Sequence, residues 1–206
     1  HTHLLWAGDR SREISWKLQG MSYRQIAEKG GGIAYTVEQT RNLPGSELAK
    51  IGIKRMEEAL RNGTTHLEAK SGYGLSTESE LKLLEIAESI SAVDNLPSLD
   101  LTWMGAHAAP PGEEIESYYE SVISDQLPNV IEQGIARSVD VFCEPGWFSI
   151  EQSEELLKES KKNGLDLRIH IDEFEDGGGG DLAAELKVQT ADHAHHTKLD
   201  LSLIHI

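Results

Sequence analysis

The sequence contains little cysteine, few basic residues and no long apolar run, and each shortage excludes a class of protein. The single cysteine, Cys143, cannot form a disulfide framework within the chain. Only 19 lysines and arginines accompany 35 acidic residues, and the formal charge of −16 argues against a nucleic-acid partner or an anionic membrane surface. No apolar segment is long enough to cross a bilayer. With 206 residues, the chain fits one globular domain, and we expect a cytoplasmic location.

Short runs of apolar and β-branched residues alternate with helical patterns along the chain. Several runs are nearly continuous in apolar residues, which is typical of strands that are covered on both faces. Strands that alternate with helices predict parallel pairing through right-handed crossovers. The predicted strands are 1–6, 64–69, 99–104, 139–143, 167–171 and 188–191.

The segments between these runs carry helix signals. Capping-box patterns at 77–80 and 149–152 precede runs with apolar residues at helical spacing. A roughly helical apolar stripe begins at Leu48 and ends before Gly63, and 115–135 predicts a longer helix that is interrupted at Pro128.

Six strand–helix units fit the chain, whereas a closed (β/α)₈ barrel has eight strands and typically about 250 residues. We therefore expect an incomplete TIM-type barrel over 1–200, truncated at both termini and lacking the last units. An open doubly wound sheet has the same local pattern and remains the structural alternative. The segment 201–206 is similar to a sequencing-library adapter read in one frame, so we expect it to be a non-native tail.

Histidines and acids occur at the C-terminal end of one predicted strand after another. In a (β/α)₈ barrel, functional residues lie at these ends. Structural needs alone rarely place such residues at every strand, so we interpret the set as one active site. The set comprises His1, His3, Glu68, Lys70, Tyr73, His107, Glu144, His170, Asp172, Glu173, Asp192 and His193.

Three of these histidines have the spacing of metal ligands. His1 and His3 alternate on a predicted strand, so both imidazoles face the same side and can reach one ion. His170 supplies a third nitrogen donor, and the carboxylate of Glu173 can act as acid or base towards an activated water. The alternative interpretation is an ordinary buried histidine followed by solvated acids.

Two further side chains are candidates for binding a ligand. The glycine-flanked turn at 70–74 presents Tyr73, which either donates to a substrate oxygen or covers the barrel rim. His107 lies among small residues that leave room for a ligand, and its alternative is a satisfied core histidine. Cys143 is interpreted as a small core residue.

Taken together, these motifs resemble the imidazolonepropionase family of amidohydrolases. The matches run in order from His1 to about Thr197, and the most specific are L-Q-G-M-S-Y and K-S-G-Y-G-L. Ile171 and the segment 194–196 depart from the residues usual in the family. The matching segments are 1–3, 8–10, 18–23, 30–33, 70–75, 105–111, 140–144 and 191–193.

The resemblance implies a metal ion, zinc or iron, held by His1, His3 and His170. It implies catalytic proton-transfer or polarising roles for Glu173 and His193. It also implies that several side chains contact the substrate, namely Arg10, Tyr23, Tyr73, His107 and Glu173. The guanidinium of Arg10 suits a propionate group because the two pair as a bidentate fork.

The implied reaction is hydrolysis of the cyclic amide 4-imidazolone-5-propanoate to N-formimidoyl-L-glutamate in histidine degradation. A small-molecule substrate is the expected partner, and a homodimer is left open. The family's small β-sandwich and a further aspartate ligand are expected outside this chain, so we expect the chain alone to be inactive. The alternatives are another amidohydrolase, either a cyclic amidase or a deaminase, and a barrel that serves as a scaffold without chemistry.

Overall fold

The computed structural model describes residues 1–202, except for the side chains of Tyr23, Arg24, Ala27, Asp200 and Ser202. The proposed tail at 201–206 therefore lies mostly outside the described residues, and its non-native origin stays a prediction. Within residues 1–202, no helix is both long enough and apolar enough to cross a membrane.

Five parallel strands form one sheet, and each strand pairs with the next strand along the chain. A doubly wound sheet would reverse its strand order midway, so this order excludes that alternative. The curled sheet and its helices fit a partial α/β barrel, as predicted. The strands are β1 His66–Lys70, β2 Ser98–Ala106, β3 Ser138–Cys143, β4 Asp166–Ile171 and β5 Thr190–His193.

Helices precede β1 and connect the strands. Helix α5 packs on β2, and α8 packs on β3 and β4, as expected of crossover helices that cover a parallel sheet. The helices are α1 Arg12–Leu18, α2 Tyr23–Glu28, α3 Gly32–Asn42, α4 Gly45–Arg61, α5 Thr77–Ser91, α6 Ile115–Ser121, α7 Leu127–Gln133, α8 Ile150–Lys162, α9 Gly179–Leu186 and α10 Leu199–Ser202.

The segment 1–6 is not a regular strand, so the predicted six units are not confirmed. It lies beside β1, where the backbone N–H of Lys70 donates to the carbonyl of Thr2 at 2.9 Å. Two other carbonyls of the segment accept hydrogen bonds from the Arg55 guanidinium, at 2.7 and 3.0 Å. The segment is apolar enough to predict a strand, but a side chain from α4 takes the place of a strand partner there.

The predicted helix starts are confirmed in one case and shifted in the other. Ser149 and Gln152 form the capping box of α8, with backbone-to-side-chain distances of 3.2 and 2.9 Å. For α5 the predicted cap was wrong, because Ser76 and not Thr77 caps the helix. The carboxylate of Glu80 reaches the preceding turn instead of closing a capping box.

The interruption predicted near Pro128 is a π-helical turn, Val122–Gln126, between α6 and α7. Pro128 lies in the first turn of α7. Proline has no N–H and its ring crowds the carbonyl four residues earlier, so a locally wider turn lets the helix continue without the normal bond.

The hydrophobic core lies between the sheet and its helices, in two neighbouring clusters. The larger includes Trp103, Val139 and Ile169, and the smaller joins Leu5 of the first segment to Met56 of α4. Cys143 belongs to the larger cluster, and burial raises the pKa of its thiol to about 11. Its predicted role as a core residue is confirmed.

Candidate metal centre

Three imidazoles meet where β4 and β5 end beside the first residues of the chain. The Nε2 atoms of His1 and His170 lie 3.3 Å apart. His193, the last residue of β5, joins them, and one ligand atom from each of the three lies within 4.8 Å of the others. Two nitrogens bound tetrahedrally to one zinc ion, at about 2.1 Å each, would lie about 3.4 Å apart. The three imidazoles therefore have the spacing of a metal-binding group.

His3, the third of the predicted metal ligands, lies next to this group and packs on different residues. The centroid of its ring is 6.3 Å from that of His1. It stacks on His107 at 4.7 Å with an interplanar angle of 13°, and the Tyr73 ring lies 4.9 Å away. The structure thus separates the predicted residues into the metal-binding group and an adjoining aromatic group of His3, Tyr73 and His107.

The two stacked imidazoles are kept neutral by their surroundings. Burial lowers the pKa of His107 to about 4, and burial together with the neighbouring His107 lowers the pKa of His3 well below its usual value. The Nδ1 atoms of the two rings lie against backbone carbonyls of Ser71 and Gly72, at 2.6 and 2.8 Å. A ring whose Nδ1 donates to a carbonyl has an unprotonated Nε2, which can accept a hydrogen bond or bind a metal.

A buried carboxylate orients His170 from behind. Asp140 of β3 is inaccessible to solvent, and its Oδ1 lies 3.0 Å from Nδ1 of His170. Burial alone would raise the pKa of Asp140, but His170 and Lys70 lower it on balance. This contact assigns the imidazole proton to Nδ1 and leaves Nε2 facing His1, as in carboxylate–histidine–metal arrangements. Asp192 lies in a similar position behind His1, with 3.3 Å between Oδ2 and Nδ1.

A second set of potential ligands, Asp140, His170 and Asp192, is better explained as part of an ion-pair network. The ammonium of Lys70, which is fully buried, contacts Asp140 closely and lies 2.9 Å from Glu68 and 3.6 Å from Asp192. Burial would lower the pKa of Lys70, but the carboxylates raise it on balance, so the side chain stays charged. An ammonium already occupies the place that a cation would take.

The predicted acid–base pair lies at the edge of the metal-binding group. Oε2 of Glu173 is 3.4 Å from Nε2 of His193, and burial lowers the pKa of His193 although Glu173 opposes the shift. The backbone N–H of Glu173 donates to the carboxylate of Glu144. Asp172 has a φ of 49° and accepts hydrogen bonds from the backbone N–H groups of Gly177 and of Gly179, the first residue of α9, so it fixes the start of the Glu173 loop.

The two remaining predicted substrate contacts have different positions. Arg10 forms a bidentate pair with Glu13, with both N–O distances at 2.9 Å. Glu13 is buried and also accepts from the backbone N–H of Gly32 at 2.7 Å, which fixes the guanidinium in place. The side chain of Tyr23 lies outside the described part of the structure.

Sequence reasoning included Asp192 in the predicted site but missed Asp140 and Glu80 as residues that orient it. Asp140 interrupts the apolar run of Val139, Val141 and Phe142 in a buried strand, which is a detectable signal because a charge is rarely buried without a partner. Glu80 resembles an ordinary helix-start acid, and its sequence context gives no sign of its contacts.

A parallel sheet in barrel order, with imidazoles and carboxylates clustered at the carboxyl ends of its strands, defines a partial α/β barrel with a candidate metal centre. No family model matches the chain. Curated relatives do match it, and the chain is similar to proteins that are named imidazolonepropionase.

The similarity to imidazolonepropionases covers almost all of the chain. That of Shewanella sediminis is 42% identical over 198 residues, which are 95% of this chain and 48% of the relative. Those of Thermoanaerobacter pseudethanolicus and Desulfotalea psychrophila are 44% and 46% identical, each over 94% of this chain and 47% of the relative. The chain thus spans about half the length of the curated relatives it matches.

Proposed function

We propose that the whole protein hydrolyses 4-imidazolone-5-propanoate to N-formimidoyl-L-glutamate in the cytoplasm, as a step of histidine degradation. The observation that carries the proposal is the 3.3 Å approach of the His1 and His170 Nε2 atoms, with a carboxylate behind each ring. The names of the relatives supply the reaction, and the geometry supports a metal-dependent version of it.

The metal in the proposal is a single zinc or iron ion. The donor set is made of imidazole nitrogens, which suit both metals. His1 and His170 would hold the ion. The resemblance gives His3 as the third ligand and His193 as the proton carrier, although His193 is the imidazole with a nitrogen within 4.8 Å of theirs and the His3 ring lies 6.3 Å from that of His1. When bound, the ion supplies Lewis acidity that activates a water and polarises the substrate carbonyl.

The protein's own residues account for the rest of the reaction. Glu173 receives the proton from the attacking water and hands it to His193, whose Nε2 lies 3.4 Å away, and His193 passes it to the leaving ring nitrogen. Tyr73 donates to the substrate carbonyl oxygen and stabilises its negative charge in the transition state. His107, whose Nδ1 lies against the Gly72 carbonyl, accepts a hydrogen bond from the substrate ring through Nε2. Arg10, held by Glu13, pairs with the propionate.

Product formation from synthetic 4-imidazolone-5-propanoate tests this proposal in the whole protein. We expect turnover that stops on metal removal, returns with zinc or iron, and is lost in His170→Ala. The matched control is His66→Ala, an exposed histidine at the start of β1. Turnover that persists without metal would contradict the role of the ion. Turnover of other cyclic amides but not of this imidazolone would assign the protein to another amidohydrolase activity.

A further inference from the structure

The turn 71–75, called the Tyr73 turn from here on, is held by a buried carboxylate. Glu80 in the first turn of α5 is inaccessible to solvent. Its Oε1 accepts the backbone N–H groups of Gly74 and Leu75 at 2.7 and 2.9 Å, and its Oε2 accepts that of Gly72 at 3.0 Å. A buried carboxylate is costly unless it is well paired, and here backbone amides of the turn pair it.

A guanidinium holds the same turn through its carbonyl groups. Arg41 of α3 donates from Nε to the carbonyl of Gly74 at 2.5 Å and from Nη2 to that of Leu75 at 2.8 Å. Glu80 therefore fixes the N–H groups of these peptides while Arg41 fixes their carbonyls. Two helices that are distant in sequence set the orientation of one short turn.

The glycines of the turn are required by this close packing. A Cβ at position 74 would lie 2.7 Å from Oε1 of Glu80, which is too close for any side chain. Gly72 has a φ of +99°, and a Cβ there would lie 3.0 Å from the His107 ring. The K-S-G-Y-G-L motif thus encodes a turn that lets a carboxylate and an imidazole touch the backbone.

The Tyr73 turn orients the aromatic group of His3, Tyr73 and His107. Its Ser71 carbonyl lies 2.6 Å from Nδ1 of His3, and its Gly72 carbonyl lies 2.8 Å from Nδ1 of His107. The centroid of the Tyr73 ring lies 4.9 Å from that of His3 and 5.3 Å from that of His107. A rotation of the turn's peptide planes would therefore move all three side chains together.

We propose that Glu80 and Arg41 are positioning residues that fix the Tyr73 turn and thereby set the orientation of Tyr73, His3 and His107. The hydrogen bonds described for Glu80 and Arg41 go to the backbone of this turn. The cap of α5 comes from Ser76, so the buried carboxylate is not needed to start the helix. The consequence for activity rests on the proposed function, whereas the consequence for the turn does not.

Amide hydrogen exchange tests the positioning of the turn. In Glu80→Gln we expect the amides of Gly72, Gly74 and Leu75 to exchange roughly tenfold to a hundredfold faster, because charge-assisted hydrogen bonds are weakened. The amides of β3 and β4 should keep their protection. The matched control is Glu78→Gln, an exposed acid on the same helix. Unchanged exchange in the turn, or equal acceleration across the sheet, would overturn the assignment.

A kinetic cycle on the whole protein tests the consequence for the site. Glu80→Gln and Arg41→Lys should each lower kcat/KM for the imidazolone about tenfold or more, with metal content unchanged. Combined with Tyr73→Phe, Glu80→Gln should cause a smaller loss than it does alone, because the residue acts through the turn that carries Tyr73. Losses that simply multiply would reduce Glu80 to a general structural role. Faster exchange in a protein without imidazolone turnover would overturn only the proposed function.

Discussion

Replacement of Asp140 by asparagine is the most direct test of the buried charges beneath the candidate metal centre. Asp140→Asn keeps the shape of the side chain and removes its charge. Lys70, whose side chain is fully buried, then loses its closest carboxylate and keeps only Glu68 at 2.9 Å and Asp192 at 3.6 Å. His170 loses a charged acceptor at 3.0 Å and keeps at best a neutral one.

The expected size of the effect follows from these partners. Breaking a buried ion pair by removing one member typically costs about 3–5 kcal/mol, because the other charge is left uncompensated. Since Glu68 remains in contact with Lys70, we expect the lower end, about 3 kcal/mol. For metal binding, loss of the partner behind a ligating histidine typically weakens affinity about 10–100-fold.

Two measurements on one variant separate these effects. Urea denaturation of the metal-free protein gives the change in the free energy of unfolding, and competition with a chelator gives the metal affinity. The control is Asp94→Asn. Because Asp94 is exposed, this substitution should change neither value appreciably. An unfolding free energy that falls by less than about 1 kcal/mol, together with unchanged metal affinity, would refute the network as described here.

Three further predictions concern other parts of the molecule. Burial depresses the pKa of His107 to about 4, so between about pH 6.5 and 4 the unfolded state binds more protons than the folded state. The free energy of unfolding should therefore decrease as the pH falls through that window. In urea denaturation, His107→Gln should make this decrease smaller, whereas His66→Gln, at an exposed histidine, should not. Cys143 should react with iodoacetamide at pH 8 only after unfolding, as mass spectrometry can show, because its thiol is buried with a pKa of about 11. Arg10→Ala should lower kcat/KM for the imidazolone with metal content unchanged, and it should also destabilise the fold because the buried Glu13 carboxylate loses its charged partner and keeps only the Gly32 N–H; unchanged kinetics would remove Arg10 from the site.

The arrangement of the sheet could be predicted from the sequence because its signals are local. Apolar runs separated by helical patterns predicted β1 to β5 within a few residues, and the parallel order followed from the alternation of strands and helices. The segment 1–6 has the same apolar signal but not the same structure. Its carbonyls are taken by Arg55, which lies about fifty residues away in sequence, and no local pattern reports such a contact.

The sequence predicted which residues belong to the candidate site, but it did not predict which of them contact one another. The alternation of His1 and His3 on one predicted strand, with His170 at the end of a later one, indicated a shared centre. The structure brings His1 to His170 directly. His3 instead stacks on His107, because the carbonyl of Ser71 holds its Nδ1 and turns the ring towards the Tyr73 turn. Ring orientation depends on such backbone contacts, which spacing along a strand does not reveal.

The charged residues inside the barrel show why the grouping depends on tertiary structure. Arg168 of β4 pairs with Glu68 of β1 and with Asp100 of β2, so strands that are not adjacent in the sheet are tied through its guanidinium. Glu68 also contacts Lys70, whose ammonium reaches Asp140 beneath His170. Each of these charges is tolerated in the interior only because the next one compensates it. The imidazole of His170 is therefore fixed by a chain of ion pairs that crosses the sheet. A substitution of Arg168 should change the position of His170 in the candidate metal centre, although the ion pairs described for Arg168 are with Glu68 and Asp100 and not with an imidazole.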